Sequence, residues 1–244
     1  ICNWNDFART VRCTQGEIIS MDKSRRNAYG VMLLVLIGCG IMAWVEGALR
    51  PVYPVKSALK IAVFLGCAGL YTLLSGDRMP FRVLRKAGAV RLAAPLALGV
   101  LVCLLGGYAL LSPWLDLSAI PENLAAKEGI TRETFPLAAA YITLCNSLLE
   151  EFFFRGFAFL TLRRAGFKRL AYGFSALAFA LYHVSITDGW GSPALIVLMV
   201  AGLTAAGFLF DWLDREGSVL PSWLVHMGAN LGTNGVGFIL FGIL

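Results

Sequence analysis

Two adjacent carboxylates and a base interrupt an apolar stretch in Leu148-Leu149-Glu150-Glu151-Phe152-Phe153-Phe154-Arg155-Gly156. An ionisable side chain near the centre of a bilayer costs about 2.5–3.5 kcal/mol on insertion scales, so three of them in one short segment must be paired or used. On a helix, Glu151 and Arg155 stand four residues apart with the acid nearer the N-terminus, the favourable order for an ion pair. Glu150 points about 100° away from that face. The expectation is that Glu151 and Arg155 largely neutralise each other and that Glu150 faces a different set of groups.

The chain has two histidines, and both fall in apolar runs. His183 follows Phe179 by one helical turn, which puts a ring beneath the imidazole. His226 precedes Asn230 by one turn, so these two share a face. A carboxylate, two imidazoles and an amide that meet in an apolar bundle suit hydrolysis. Glu150 can take a proton from water as general base, with His183 sharing that proton or holding the water. His226 and Asn230 can donate hydrogen bonds to the oxyanion of a tetrahedral intermediate. The same residues allow a second version, in which Glu150, His183 and His226 bind Zn²⁺ and the metal activates the water. Both versions remain open at the level of sequence.

Taken together, Glu-Glu-x-x-x-Arg at 150–155, Phe-x-x-x-His at 179–183 and His-x-x-x-Asn at 226–230 resemble the signatures of the CPBP (Abi) family of intramembrane proteases, which includes the type II CAAX prenyl endopeptidases. The three motifs occur in the family's order, each on its own hydrophobic helix, and the resemblance covers residues 135–235. It implies that Glu150 is the catalytic glutamate and His183 its partner. It further implies that His226 and Asn230 complete the site while Glu151, Arg155 and Phe179 support it. The family's eukaryotic CAAX enzymes have more membrane helices than this chain; the compact chain is more similar to bacterial relatives associated with peptide maturation, bacteriocin self-immunity and processing of membrane-bound precursors. That likeness implies a bacterial plasma membrane.

Positioning such a site requires a membrane bundle. Of 244 residues, 58% are hydrophobic and 15% charged, and mean hydropathy is +0.71. Apolar runs reach the length of about 20 residues that a spanning helix needs. The sequence predicts an all-α, polytopic transmembrane helix bundle of about seven spans with a four-helix catalytic core. The spans are expected at 30–49, 57–74, 92–111, 135–162, 170–186, 193–213 and 220–244, the last with a potential break at 232–237. A short amphipathic helix is expected in the hydrophilic interval 116–133. Residues 1–20 are polar and aperiodic and are set apart as a non-native or disordered extension. Residues 21–134 then form the N-terminal helices and loop, and 135–244 the catalytic core.

The net charge of +6 lies in short clusters at 23–26, 75–91 and 163–169 rather than in one stripe, a pattern of topology signals and not of nucleic-acid binding. These clusters fall on alternate loops, which places them, and the N-terminus, on the cytoplasmic side. The expected partners are the lipid bilayer and a membrane-tethered peptide or protein substrate. None of the six cysteines forms a CxxC pair, and buried free thiols are expected. Phe152–Phe154 and Phe157 are expected to face lipid or a substrate groove. Gly228, Gly232, Gly235 and Gly237 are expected to permit close helix approach. Asp211, Asp214, Arg215 and Glu216 are read as a short polar turn.

Two other functions fit part of this pattern. A bis-histidine haem protein would use His183 and His226 as axial ligands but leaves Glu150 without a purpose. A transporter or scaffold would use the buried charges as a proton relay or docking site without cleavage.

Overall fold

The computed structural model describes residues 4–84, 89–114, 117–185 and 193–244. Arg85, Lys86 and the expected end of the fifth span at Ile186 lie outside the described residues. Among the described residues there are eight helices and no strand. They are α1 (Trp4–Trp44), α2 (Tyr53–Ser75), α3 (Val90–Leu111), the short α4 (Ile120–Glu128), α5 (Phe135–Arg164), α6 (Lys168–Val184), α7 (Pro193–Leu213) and α8 (Leu220–Leu240). The interval expected to hold one short helix therefore holds α4, and α8 runs unbroken through Gly232 and Gly237.

Among the described residues, five stretches are long and apolar enough to cross a membrane: Lys23–Leu49, Tyr53–Ser75, Val90–Trp114, Phe135–Arg164 and Ile196–Glu216. The protein is an integral membrane protein. The helices α6 and α8 lie where two further spans were expected but do not reach that length and apolarity: α6 has 17 residues, and α8 carries His226, Asn230 and Asn234, which lower its apolarity. The helix ends follow local chemistry. Pro54 opens α2 and Pro221 opens α8, where a missing N–H costs nothing. Gly76 closes α2 in a left-handed conformation at φ 75°.

At the centre stands α5, with Phe153, Phe154, Phe157, Ala158 and Phe159 fully buried. This corrects the expectation that Phe153, Phe154 and Phe157 face lipid or a substrate groove; Phe152 is half-buried. Phe153 stacks on Phe64 of α2 at 3.9 Å between centroids, and Phe154 meets Phe179 of α6 edge-on at 5.5 Å. In lipid the hydrophobic effect gives helices little reason to associate, so such packing carries the assembly. Glycines serve the same purpose on α8. A Cβ at Gly228 would lie 2.5 Å from the Ala97 carbonyl of α3, and one at Gly237 would lie 2.3 Å from the Phe135 ring. Of the cysteines, Cys67 is buried and free as expected, whereas Cys103 and Cys145 are free but exposed.

The basic clusters gather at one end of the bundle. Ser24 Oγ donates to Ala165 O at 2.6 Å, and Arg164 Nη2 lies 3.6 Å from Asp77 Oδ2. At that same end Arg163 Nη1 donates to Arg215 O at 2.5 Å. Elsewhere, where α1 ends and α2 begins, Lys56 Nζ sits 2.6 Å from both Glu46 Oε2 and Glu128 Oε1, which clamps α4 over the bundle.

Candidate active site

The central helix is not a regular α-helix. Two π-helical stretches, Ile142–Asn146 and Phe152–Phe159, bracket a single α-helical turn, Ser147–Glu151, that carries both glutamates. Widened turns of this kind occur mostly at functional sites, because they re-aim side chains and loosen the carbonyl ladder. Side chains of other helices bond to the carbonyls here. Asn230 Nδ2 donates to Ile142 O at 3.1 Å, Trp223 Nε1 to Leu144 O at 3.1 Å, and Ser175 Oγ to Phe154 O at 2.9 Å.

Glu150, 2% exposed, divides its two oxygens between different partners. Oε1 accepts from the Lys60 ammonium of α2 and from Asn146 Nδ2 at 3.0 Å. Lys60 Nζ also donates to Asn146 Oδ1 at 2.7 Å, which closes a three-residue ring of hydrogen bonds. Oε2 faces His183 Nε2 at 3.8 Å and His226 Nε2 at 3.7 Å. Those separations exceed a hydrogen bond and suit a small bridging molecule.

The partners of the other ring nitrogens set the tautomers. His183 Nδ1 is 2.7 Å from the Phe179 carbonyl, an acceptor, so Nδ1 carries the proton. His226 Nδ1 is 2.7 Å from Glu151 Oε1, with the same consequence. Both Nε2 atoms are then lone-pair acceptors turned towards Glu150 Oε2. Three acceptors that converge call for a donor between them.

Glu151 belongs to a second, sealed cluster. Its Oε2 lies 3.3 Å from Arg155 Nε, so the expected pair forms, and Arg155 is shared with Asp211 Oδ1 at 3.6 Å. All three side chains are fully buried. The guanidinium stacks over Phe179 at 4.1 Å and Phe210 at 5.0 Å, and Ser175 Oγ donates to Asp211 Oδ1 at 2.9 Å. Asp211 thus belongs to the core rather than to a polar turn. The expected turn forms at Asp214–Glu216, but α7 continues to Leu213, so that Asp211 lies on that helix and faces α5 and α6. Asp214, the first residue of the turn, is buried as well and accepts from Ser222 N at 3.1 Å and Ser222 Oγ at 2.5 Å, which caps the start of α8.

Glu150, Glu151, Arg155, Phe179, His183 and His226 therefore meet. Asn230 lies one turn beyond His226, with one amide hydrogen committed to the Ile142 carbonyl. Ser147, the hydroxyl nearest the glutamates in sequence, donates to Thr143 O at 2.5 Å and accepts from Trp223 Nε1 at 3.1 Å, with no histidine partner among these bonds.

Sequence reading passed over Lys60, Asn146, Ser175 and the role of Asp211. Lys60 had a signal: it is a lone charge in the apolar run 57–74, subject to the same cost that singled out Glu150. Asn146 precedes Glu150 by one turn, which was also visible.

The donor set bears on Zn²⁺. A zinc site needs ligand atoms about 2.0–2.2 Å from one point, and among the described residues no group of three or more His, Cys, Asp or Glu side chains is placed to hold a metal ion. The Lys60 ammonium, a cation, holds Oε1 of the carboxylate that would have to bind it and sets a positive charge beside the remaining oxygen.

Residues 132–232 match the family model described as type II CAAX prenyl endopeptidase Rce1-like. No curated protein matches, and no solved structure does.

Proposed function

From a chain whose residues 132–232 belong to the Rce1-like family of type II CAAX prenyl endopeptidases, we propose an intramembrane endopeptidase in which Glu150 and His183 activate a water without metal. The observation that supports it most is the convergence of Glu150 Oε2, His183 Nε2 and His226 Nε2, with both imidazole Nδ1–H groups engaged elsewhere. A water among these atoms can donate to Glu150 Oε2 and to one imidazole while its lone pair faces a peptide carbonyl. In the first step a water O–H bond breaks, the proton passes to Glu150, and the oxygen bonds to the carbonyl carbon. The carbonyl electron pair moves to oxygen as an oxyanion. In the second step the oxyanion collapses, the C–N bond breaks, and the proton held on Glu150 or His183 goes to the departing amine.

Asn230, one turn from His226 on α8, completes the site by facing the oxyanion, and His226 adds a second donor once its Nε2 takes up a proton. Asn230 has a second amide N–H beyond the one spent on Ile142 O, and oxyanion donors of this kind contribute about 10²–10³ in kcat. Glu151 fixes the His226 tautomer, and Arg155 and Phe179 hold Glu151 and the rings in place. The substrate is a membrane-associated peptide or protein segment, because Glu150 lies within a spanning helix and extended peptide must enter between helices. The clustering of 23–26, 77 and 163–165 at one end supports that end as cytoplasmic, with the N-terminus on the same side.

Purified protein in liposomes, offered a quenched peptide ending in a prenylated CAAX sequence and a quenched single-span peptide, tests the reading. Cleavage of either, lost in Glu150→Gln and indifferent to a strong chelator, is the expected result. Normal cleavage by Glu150→Gln would overturn the mechanism, and loss on chelation with recovery on Zn²⁺ would replace it with metal-activated water. The haem alternative needs an iron between two imidazole nitrogens, where Glu150 Oε2 stands.

A further inference from the structure

A lysine in the middle of a spanning helix is costly wherever it sits, and Lys60 is 6% exposed in a run that is otherwise apolar. Its flexible stem would let the ammonium reach towards the membrane surface, as lysines near helix ends do. Instead it turns inward, lies 5.0 Å from the Tyr182 ring centroid and 5.6 Å from that of Phe64, and bonds to Glu150 and Asn146. Buried ion pairs are weak contributors to stability, since desolvation of both charges offsets their attraction. Stability alone is a poor reason for this one. Lys60 also lies outside the family-matched segment 132–232, on a helix that the motifs do not touch.

We infer that Lys60 is a positioning residue for Glu150, and that α2 is therefore part of the active site. The argument is geometric and rests on the proposed function. A carboxylate has two equivalent oxygens and a loosely held torsion, and a general base must present one of them within hydrogen-bond reach of the water. Lys60 and Asn146 both take Oε1. With that oxygen held by two donors from two helices, the carboxylate plane is fixed and Oε2 is the oxygen left towards His183 and His226. Lys60 also matches the Glu150 charge, a task Arg155 cannot take on because it is shared by Glu151 and Asp211. The reacting pair and the sealed cluster thus each have their own cation.

The test compares wild type, Lys60→Met, Lys60→Arg and Glu150→Gln for cleavage of the same two quenched peptides in liposomes. Thermal unfolding in detergent is followed in parallel for these and for Lys60→Met/Glu150→Gln. The expected result for Lys60→Met is a fall in kcat of about 100-fold, the scale of a misplacement of about 1 Å, with KM within about twofold of wild type. Lys60→Arg, which keeps the charge, should recover most of the lost kcat. Lys60→Met should lower the Tm in the wild-type background and leave it nearly unchanged in the Glu150→Gln background, where no charge is stranded.

Wild-type kcat in Lys60→Met would overturn the inference while leaving the proposed function standing. So would equal losses of kcat in Lys60→Met and Lys60→Arg, or a Tm loss of the same size in both backgrounds. Cleavage by Glu150→Gln, or no cleavage by wild type, would instead remove the proposed function, and the Tm cycle would then decide whether Lys60 and Glu150 are coupled at all.

Discussion

Glu150 and Glu151 are neighbours in sequence, both carboxylates, both buried on the same helical turn, and they live in opposite surroundings. Glu151 has both oxygens directed at groups that fix it: His226 Nδ1 on Oε1, Arg155 Nε facing Oε2, and Asp211 sharing the guanidinium. Glu150 has one oxygen held by Lys60 and Asn146 and one turned to the Nε2 atoms of His183 and His226. A step of one residue rotates a side chain by about 100°, which here separates a group that can exchange a proton with a small molecule from a group locked into the frame. His226 joins the two clusters, Nδ1 to the frame and Nε2 to the reacting face. Two carboxylates side by side thus have different surroundings because of what other helices bring to each.

The contrast can be broken at either side. The largest effect is expected on the reacting face: His183→Ala should lower kcat by about 10²–10⁴ with little change in Tm, as measured by peptide cleavage and by thermal unfolding. On the frame, Arg155→Met leaves Glu151 and Asp211 buried without a cation, and should destabilise the bundle by about 3–5 kcal/mol, read as loss of folded protein in denaturant titration. Activity should fall only in proportion to the folded fraction. If instead Arg155→Met were stable but inactive, the division between frame and face would be wrong. Ser175→Ala removes the hydroxyl that joins Asp211 to the Phe154 carbonyl, and a loss of about 1–3 kcal/mol is expected from the stranded acceptors. The smallest change sharpens the comparison. Asn230→Ala should cost only about 0.6 kcal/mol of stability, the average for an interhelical hydrogen bond in a membrane. A kcat loss far larger than that figure implies would place Asn230 on the reacting face, and a loss no larger would place it with the frame.

The helices themselves were largely readable because hydropathy in a membrane is a one-dimensional signal: a run of about 20 apolar residues must span. The expected spans correspond to α1, α2, α3, α5, α6, α7 and α8, and the short helix to α4. Burial on the helices was less readable. Apolar residues are needed both against lipid and against other helices, so composition did not reveal that Phe153, Phe154 and Phe157 are core. Asp211 was misplaced for a related reason, since a polar cluster at a helix end looks like a turn until a buried partner is found for it.

What the sequence by itself determined is the set of residues that cannot be idle: Glu150, Glu151, Arg155, His183 and His226 carry charge or lone pairs in apolar runs, and the price of leaving them unpartnered in lipid is too high. It also determined that Glu151 would meet Arg155, because an i,i+4 pair lies within one helix and needs no tertiary information. Only the tertiary structure decided which oxygen of Glu150 faces the histidines and which cation balances it. Lys60 and Glu150 are 90 residues apart, on helices that are held against each other by the stacking of Phe64 on Phe153. The helical period gives the face on which a residue lies along its own helix. It carries no information about which other face lies opposite, and that pairing is what brings Lys60, His183 and His226 to Glu150.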